Sequence, residues 1–218
     1  MNLNVFYWYY RNEEGLPKNV CDQIIKLAEE KSKQDLHSKR LAQIGGRRQD
    51  LSKFPLSKIE KEKLIDTRNS DIQWMDDNWL YKEVHPYVRD ANIKAGWNFE
   101  YDWSESCQFT TYTKGQHYSW HCDPFHKPST LKDPNFTGKI RKISMSIQLS
   151  EPTEYEGGEF QFDFRNSEDG SPNIRTVSEL KEKGSIVVFP SHLYHRVLPI
   201  KKGKRQSLVV WTIGQPFR

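Results

Sequence analysis

A chain of 218 residues suits one domain with its own core, or such a domain with a helical extension. Hydrophobic residues make up only 35% and charged residues 28%, but seven Trp, ten Tyr and eleven Phe supply enough large rings for a core, which argues against a disordered chain. The net charge of +4 is spread along the chain, with modest clusters at Lys39–Arg48 and Lys201–Arg205 that read as solvated surface and do not by themselves imply nucleic acid.

The opening MNLNVFYWYY lacks a basic n-region and a long apolar run, so it does not read as a secretory signal. No stretch approaches the ~18 apolar residues that span a bilayer. Cys21, Cys107 and Cys122 are three in number and widely spaced, which is neither a disulfide framework nor a CxxC zinc site. A soluble, cytoplasmic protein with no membrane partner is expected.

In chain order, the β-branched and aromatic run Val5–Tyr10 predicts a strand. Pro17 opens a helix in which Val20, Ile24, Ile25 and Ala28 recur at helical spacing to about Lys33. Asp35–Ser57, polar and basic with Gly45 and Gly46, reads as an irregular loop. A second helix is expected over Asp76–Ala95, where Trp79, Leu80, Val84, Tyr87, Val88 and Ala91 fall near one face. After Gly96 the pattern becomes β-rich. Strands are expected at Phe99–Trp103, Cys107–Thr113, Lys142–Leu149, Glu159–Phe164, Ser185–Phe189, Tyr194–Val197 and Gln206–Ile213. Short, regularly punctuated strands of this kind suggest a sandwich or barrel. The chain therefore reads as one domain over 1–218, with helical support in 1–95 and a β core in 96–218. Pro124–Gly138 is a long loop placed like a lid.

The segment Tyr112–Asp123, YTKGQHYSWHCD, carries the chemistry. If Tyr118–Asp123 is extended, His121 and Asp123 point to one face and Cys122 to the other. His195, in the β-like segment SHLYHRVLP, is a candidate third ligand. Two His and one carboxylate on one face of a metal leave open positions, the arrangement of non-haem iron(II) oxygenases. A zinc hydrolase also uses such donors. An HxD pair alone is weak evidence, and the residues beyond His195 strengthen it.

Pro199–Lys204 reads as a hairpin turn centred on Ile200, which would set His195 opposite Arg205 with Cβ atoms about 5 Å apart. An arginine beside a metal ligand inside a barrel requires an anion, and a guanidinium fork matches a carboxylate. Ser207 shares the face of Arg205 and can add a hydroxyl. In Ile143–Ser150 the residues alternate between apolar and polar. The polar side, with Gln148, faces either a co-substrate pocket or water, and a solvated face is the usual meaning. His117 and His126 are read as non-ligands.

Taken as an ordered set, Tyr112, Gly115, His121, Asp123, Gly157–Gly158–Glu159, Gly184, Phe189–Pro190–Ser191, His195, Arg205 and Trp211 resemble the iron(II)/2-oxoglutarate dioxygenase superfamily in its prolyl 4-hydroxylase-like branch. The resemblance runs from about Pro17 to the C-terminus and takes in Arg68–Ser70. It implies an α+β, mainly β fold: a double-stranded β-helix (jelly roll) with N-terminal supporting helices. It implies Fe(2+) held by His121, Asp123 and His195, and 2-oxoglutarate whose distal carboxylate pairs with Arg205. Tyr112 would bond the co-substrate near the metal, and ascorbate would serve as reductant; Ser207, from its shared face with Arg205, and Gln148, from the polar side of its strand, are candidate contacts read from the residues themselves. Many relatives carry an aromatic where Gln148 stands.

The implied reaction is hydroxylation of a prolyl residue in a protein or peptide, with O2 as oxidant. The runner-up is a nucleic-acid demethylase of the same superfamily, to which Trp97, Trp103 and Trp120 would offer stacking surfaces. A non-catalytic jelly-roll binding module is the alternative from another class; the intact donor set with Arg205 counts against it.

Overall fold

The computed structural model describes residues 5–34, 40–41, 66–123, 128–130, 133–165, 167 and 169–217. The two long helices in these are α1 (Lys18–Gln34) and α2 (Asn78–Lys94). Each follows its sequence pattern. Val20, Ile24 and Ala28 of α1 and Leu80, Val84, Val88 and Ala91 of α2 are buried. They form one apolar cluster with Ile143, Met145, Ile147, Leu208 and Val210 of the sheet beneath.

Among the described residues nine strands make the larger sheet. It contains β1 (Trp8–Tyr10), β2 (Arg40–Leu41), β4 (Asp71–Met75), β5 (Trp103–Ser104), β6 (Cys107–Thr113), β8 (Ile140–Gln148), β9 (Tyr155–Gly157), β12 (Ile186–Pro190) and β14 (Ile200–Gly214). The smaller sheet contains β3 (Arg68–Asn69), β7 (His117–His121), β10 (Phe160–Asp163), β11 (Ile174–Thr176) and β13 (Tyr194–Val197). The two sheets meet through a second apolar cluster in which Phe160 and Phe162 of the smaller sheet pack on Phe189 of the larger, with ring centroids 5.8 and 5.0 Å apart. This is the expected double-stranded β-helix, with both helices on the outer face of the larger sheet. Among the described residues no helix is long and apolar enough to cross a membrane.

β8 shows how one strand serves both layers. Ile143, Met145 and Ile147 face the helices, while Ser144, Ser146 and Gln148 face the barrel interior. None of the three polar residues is more than 5% exposed. The water-facing reading of this alternation is therefore corrected: the polar side is buried between the sheets.

The hairpin register is corrected too. His195 of β13 pairs with His121 and Phe162 in the smaller sheet, whereas Arg205 of β14 pairs with Tyr112 in the larger. The chain crosses between sheets after Val197, so Pro199–Lys204 is not a turn. Ile200 instead pairs with Gly157 of β9. Gly203, at φ 78°, permits a close pass: a Cβ there would lie 2.0 Å from the Glu154 carbonyl oxygen.

Other boundaries shift. The strand expected at Phe99–Trp103 is only Trp103–Ser104, and the N-terminal part is more than helical support. β1 extends the larger sheet beside β12, and β4 pairs with β6. The loop expected over Asp35–Ser57 lies outside the described residues except for Arg40–Leu41. Within the lid-like segment, residues 124–127 and 131–132 also lie outside them; Ser129 and Gly138 return the chain to β8 through bonds from Ser129 N to Lys139 O and from Gly138 N to Ser129 O.

Since Ile147 is fully buried between the sheet and the helices, Ile147→Ala should lower stability by about 2–5 kcal/mol. Urea unfolding should show a lower midpoint at an unchanged slope.

Candidate functional site

His121 ends β7, and the antiparallel register sets it directly opposite His195. Asp123 lies just past the strand, where its N–H donates to the Ser191 carbonyl at 2.9 Å. His121 Nε2 is 3.8 Å from one Asp123 oxygen and His195 Nε2 is 3.6 Å from the other. One ligand atom from each residue lies within 4.8 Å of the other two. The other ring nitrogens face backbone carbonyls: His121 Nδ1 meets Ser119 O at 2.8 Å, and His195 Nδ1 meets Leu193 O at 2.9 Å. A carbonyl only accepts, so each Nδ1 carries the proton and each Nε2 lone pair turns toward the carboxylate.

The surroundings fix the charges. Burial opposes ionisation of Asp123, but the two imidazoles in their protonated form, the Arg141 guanidinium and a 2.7 Å bond from Ser144 Oγ outweigh it and hold the carboxyl at about 2. Burial, with His195 beside it, holds His121 well below the usual imidazole range despite the pull of Asp123. Arg141 is paired with Glu105, donating from Nη2 to Oε2 at 2.8 Å, and its guanidinium lies 3.8 Å over the Trp211 ring. Ser144 Oγ also lies 2.9 Å from Ser191 Oγ. Aromatic rings close the sides. Tyr118 stacks on His121 at 3.4 Å, and Phe160 and Phe189 approach His195 at 5.4 and 4.8 Å.

A second polar group lies on the inner face of the larger sheet. Arg205 is opposite Tyr112, and Ser207 is opposite both Thr110 and Gln148. All are buried, Arg205 to 2% exposure. Its guanidinium lies 5.8 Å from the Tyr112 ring centre, and among the described residues it makes no ion pair. A buried cation in this condition suits an anionic ligand.

The structure thus brings His121, Asp123 and His195 into one cluster. Arg205, Tyr112, Ser207 and Gln148 form a neighbouring strip on the facing sheet. Sequence reasoning missed Ser144, Ser191, and the Arg141–Glu105 pair that support Asp123, and the aromatic wall around the imidazoles. The buried polar alternation of β8 was the available signal for Ser144. Nothing local marks Arg141, whose partner lies 36 positions earlier.

Comparison with known proteins agrees with this geometry. Residues 107–213 match the family model of the 2OG-Fe(II) oxygenase superfamily. Over that segment, just under half of the chain, the protein is similar to that superfamily. A PKHD-type hydroxylase of Shewanella frigidimarina is 32% identical over 104 residues, which are 47% of this chain and 41% of that protein. The chain thus spans about two fifths of the length of such curated relatives. Among solved structures, a Pseudomonas putida prolyl-4-hydroxylase aligns over 97% of this chain and 95% of its own at a TM-score of 0.64 and 20% identity. The viral collagen prolyl hydroxylase of Paramecium bursaria Chlorella virus-1, solved as a 2OG complex, aligns over 96% of each chain at 0.58 and 19%. At these identities the likeness establishes a shared fold. Within the superfamily match lie all three clustered donors and the Arg205 strip.

Two imidazole Nε2 atoms and a carboxylate are a donor set that fits divalent iron. If Ser144 orients the carboxylate, Ser144→Ala should weaken divalent-metal affinity about 10- to 100-fold without loss of fold. Competition against a coloured chelator measures this, and unchanged affinity would remove Ser144 from that role.

Proposed function

We propose that the protein is an iron(II)- and 2-oxoglutarate-dependent dioxygenase that hydroxylates a C–H bond. The carrying observation is that the three-donor cluster and a buried Arg205 without an ion pair among the described residues line facing sheets of one barrel. His121, Asp123 and His195 would hold the iron through one face, leaving the opposite positions open. Arg205 would take the distal carboxylate of 2-oxoglutarate with its planar fork, and Tyr112 and Ser207 add hydroxyls on the same inner face. When bound, iron and 2-oxoglutarate supply the oxidative chemistry: O2 is consumed, 2-oxoglutarate leaves as succinate and CO2, and one oxygen enters the substrate.

The chain's own residues do the rest. The backbone carbonyls of Ser119 and Leu193 hold the two Nδ1 protons, so both imidazoles stay in the tautomer that offers Nε2. Ser144 and Arg141 keep Asp123 ionised. Phe160, Phe189 and Tyr118 exclude water from the imidazole flanks. Ascorbate would act from solution as reductant.

For the substrate we favour a prolyl residue in a protein or peptide. The Trp211 indole N–H is buried without a partner among the described residues, on the inner-face position opposite Ser144. It suits a backbone carbonyl of an extended chain. The relatives support this class: a prolyl hydroxylase from Trichoplax adhaerens was solved with a peptide fragment, at 14% identity and a TM-score of 0.58.

A nucleic-acid substrate is the second reading, favoured by Trp120 and Tyr194, whose rings lie 6.1 Å apart beside the two imidazoles in sequence. Arg196 lies 4.4 Å over Trp120 and Arg165 3.5 Å over Tyr194. Those guanidiniums already occupy ring faces a base would need, which ranks this reading second.

The test begins with anaerobic binding of iron(II) and 2-oxoglutarate, then succinate release with proline-containing peptides and with methylated oligonucleotides. One added oxygen on proline supports the first reading; turnover on oligonucleotides alone selects the second. Arg205→Ala should raise the 2-oxoglutarate requirement by at least about tenfold and leave metal affinity near that of the parent. Arg205→Lys should fall between, since an ammonium cannot form the two-pronged contact. An unchanged requirement in Arg205→Ala would assign the distal carboxylate to another residue.

A further inference from the structure

Beside Arg205 lies a cavity of about 390 Å³ against β9, β10 and the short helical turn Ser178–Leu180. Tyr155 and Arg205 are among its walls; Gln148, Ser207 and Tyr112 are not.

Hydrogen-bond accounting makes Tyr155 unusual. Gln148 is fully buried, and its Nε2 donates to Ser150 O at 3.1 Å and to the Tyr155 phenol oxygen at 3.2 Å. Both amide hydrogens are thereby used. Gln148 Oε1 is buried with no partner among the described residues. Burial raises the Tyr155 pKa, and the adjacent Arg205 opposes that rise through its charge and a hydrogen bond to the phenol. Gln148 thus donates to the phenol oxygen with Arg205 beside it, so the phenol's own proton points elsewhere. The acceptor offered among the described residues is Lys181 O at 3.5 Å, the limit of a hydrogen bond. Nor is Arg205 free to withdraw. Gly158, at φ 69°, backs its stem so closely that a Cβ there would lie 3.0 Å from Arg205 Cδ.

We propose that Tyr155 is a second holder of the distal carboxylate of the oxo-acid co-substrate, donating its phenol proton to the carboxylate beside Arg205 while Gln148 orients the ring. The assignment rests on the reading of 2-oxoglutarate as co-substrate. A phenol from β9 would serve the strip that carries an amide, Gln148, on β8.

The test is calorimetric binding to protein loaded with manganese(II). Two ligands are compared: 2-oxoglutarate, and 2-oxopentanoate, which has the same carbon count but ends in a methyl group. Tyr155→Phe keeps the ring and removes the proton. It should weaken 2-oxoglutarate about tenfold, as for loss of one charge-assisted hydrogen bond. Binding of 2-oxopentanoate should stay within about twofold of the parent. Equal 2-oxoglutarate affinity in parent and variant, or equal losses for both ligands, would overturn the role of Tyr155. Failure of the parent protein to prefer 2-oxoglutarate over 2-oxopentanoate would instead overturn the co-substrate reading.

Discussion

A carboxylate held ionised where water barely reaches is the constraint on which the rest of the site depends. Asp123 is only 9% exposed. A buried carboxylate without donors would take up a proton rather than stay charged. Its compensation comes from β8 of the larger sheet, through the Ser144 hydroxyl and the Arg141 guanidinium, while the imidazoles come from the smaller. Arg141 is itself balanced by Glu105, so the local charge left over is that of Asp123, directed at the two imidazoles. The cluster can exist only if both sheets close on each other, which makes the barrel a requirement of the electrostatics as well as a way to bury apolar area.

That requirement explains the division of the interior. One side of β8 joins the helices in an apolar cluster built from Ile143, Met145 and Ile147. Its other side lies between the sheets with Ser144, Ser146 and Gln148, and is polar without being wet. Between the sheets, aromatic rings of β10 and β12 share the space with this polar strip. Apolar rings around His195 and hydroxyls around Asp123 thus occupy one enclosure, and each polar group there depends on a specific partner.

Much of this was legible in the sequence. Helical spacing gave α1 and α2 almost to the residue, because each buries a single continuous stripe. Two-residue alternation placed His121 with Asp123 and Arg205 with Ser207. What misled was local turn chemistry. Pro199 and Gly203 look like a hairpin, yet the glycine serves the close pass of β14 over Glu154 and the chain changes sheets instead. A crossover between sheets leaves no periodic mark, because strand residues alternate alike in either sheet. The same blindness hid the support of Asp123, since Ser144, Ser191 and Glu105 come from distant segments joined only in three dimensions. For β8, a buried polar face and a solvated one are written with the same letters.

β14 runs unbroken through 15 residues and carries Arg205, Ser207 and Trp211 on one inward face. A strand advances about 3.3 Å per residue, so inward positions recur in steps of about 6.6 Å. The strand therefore acts as a ruler whose marks cannot be moved by small amounts. Arg205 and Trp211 sit three marks apart, and any ligand spanning them must match that fixed interval. Sequence drift can change the chemistry at each mark, but inserting or deleting one residue between them would turn every later side chain to the opposite face. Diversification of this scaffold is consequently a matter of substitution along β14 and of length change in the loops that surround it.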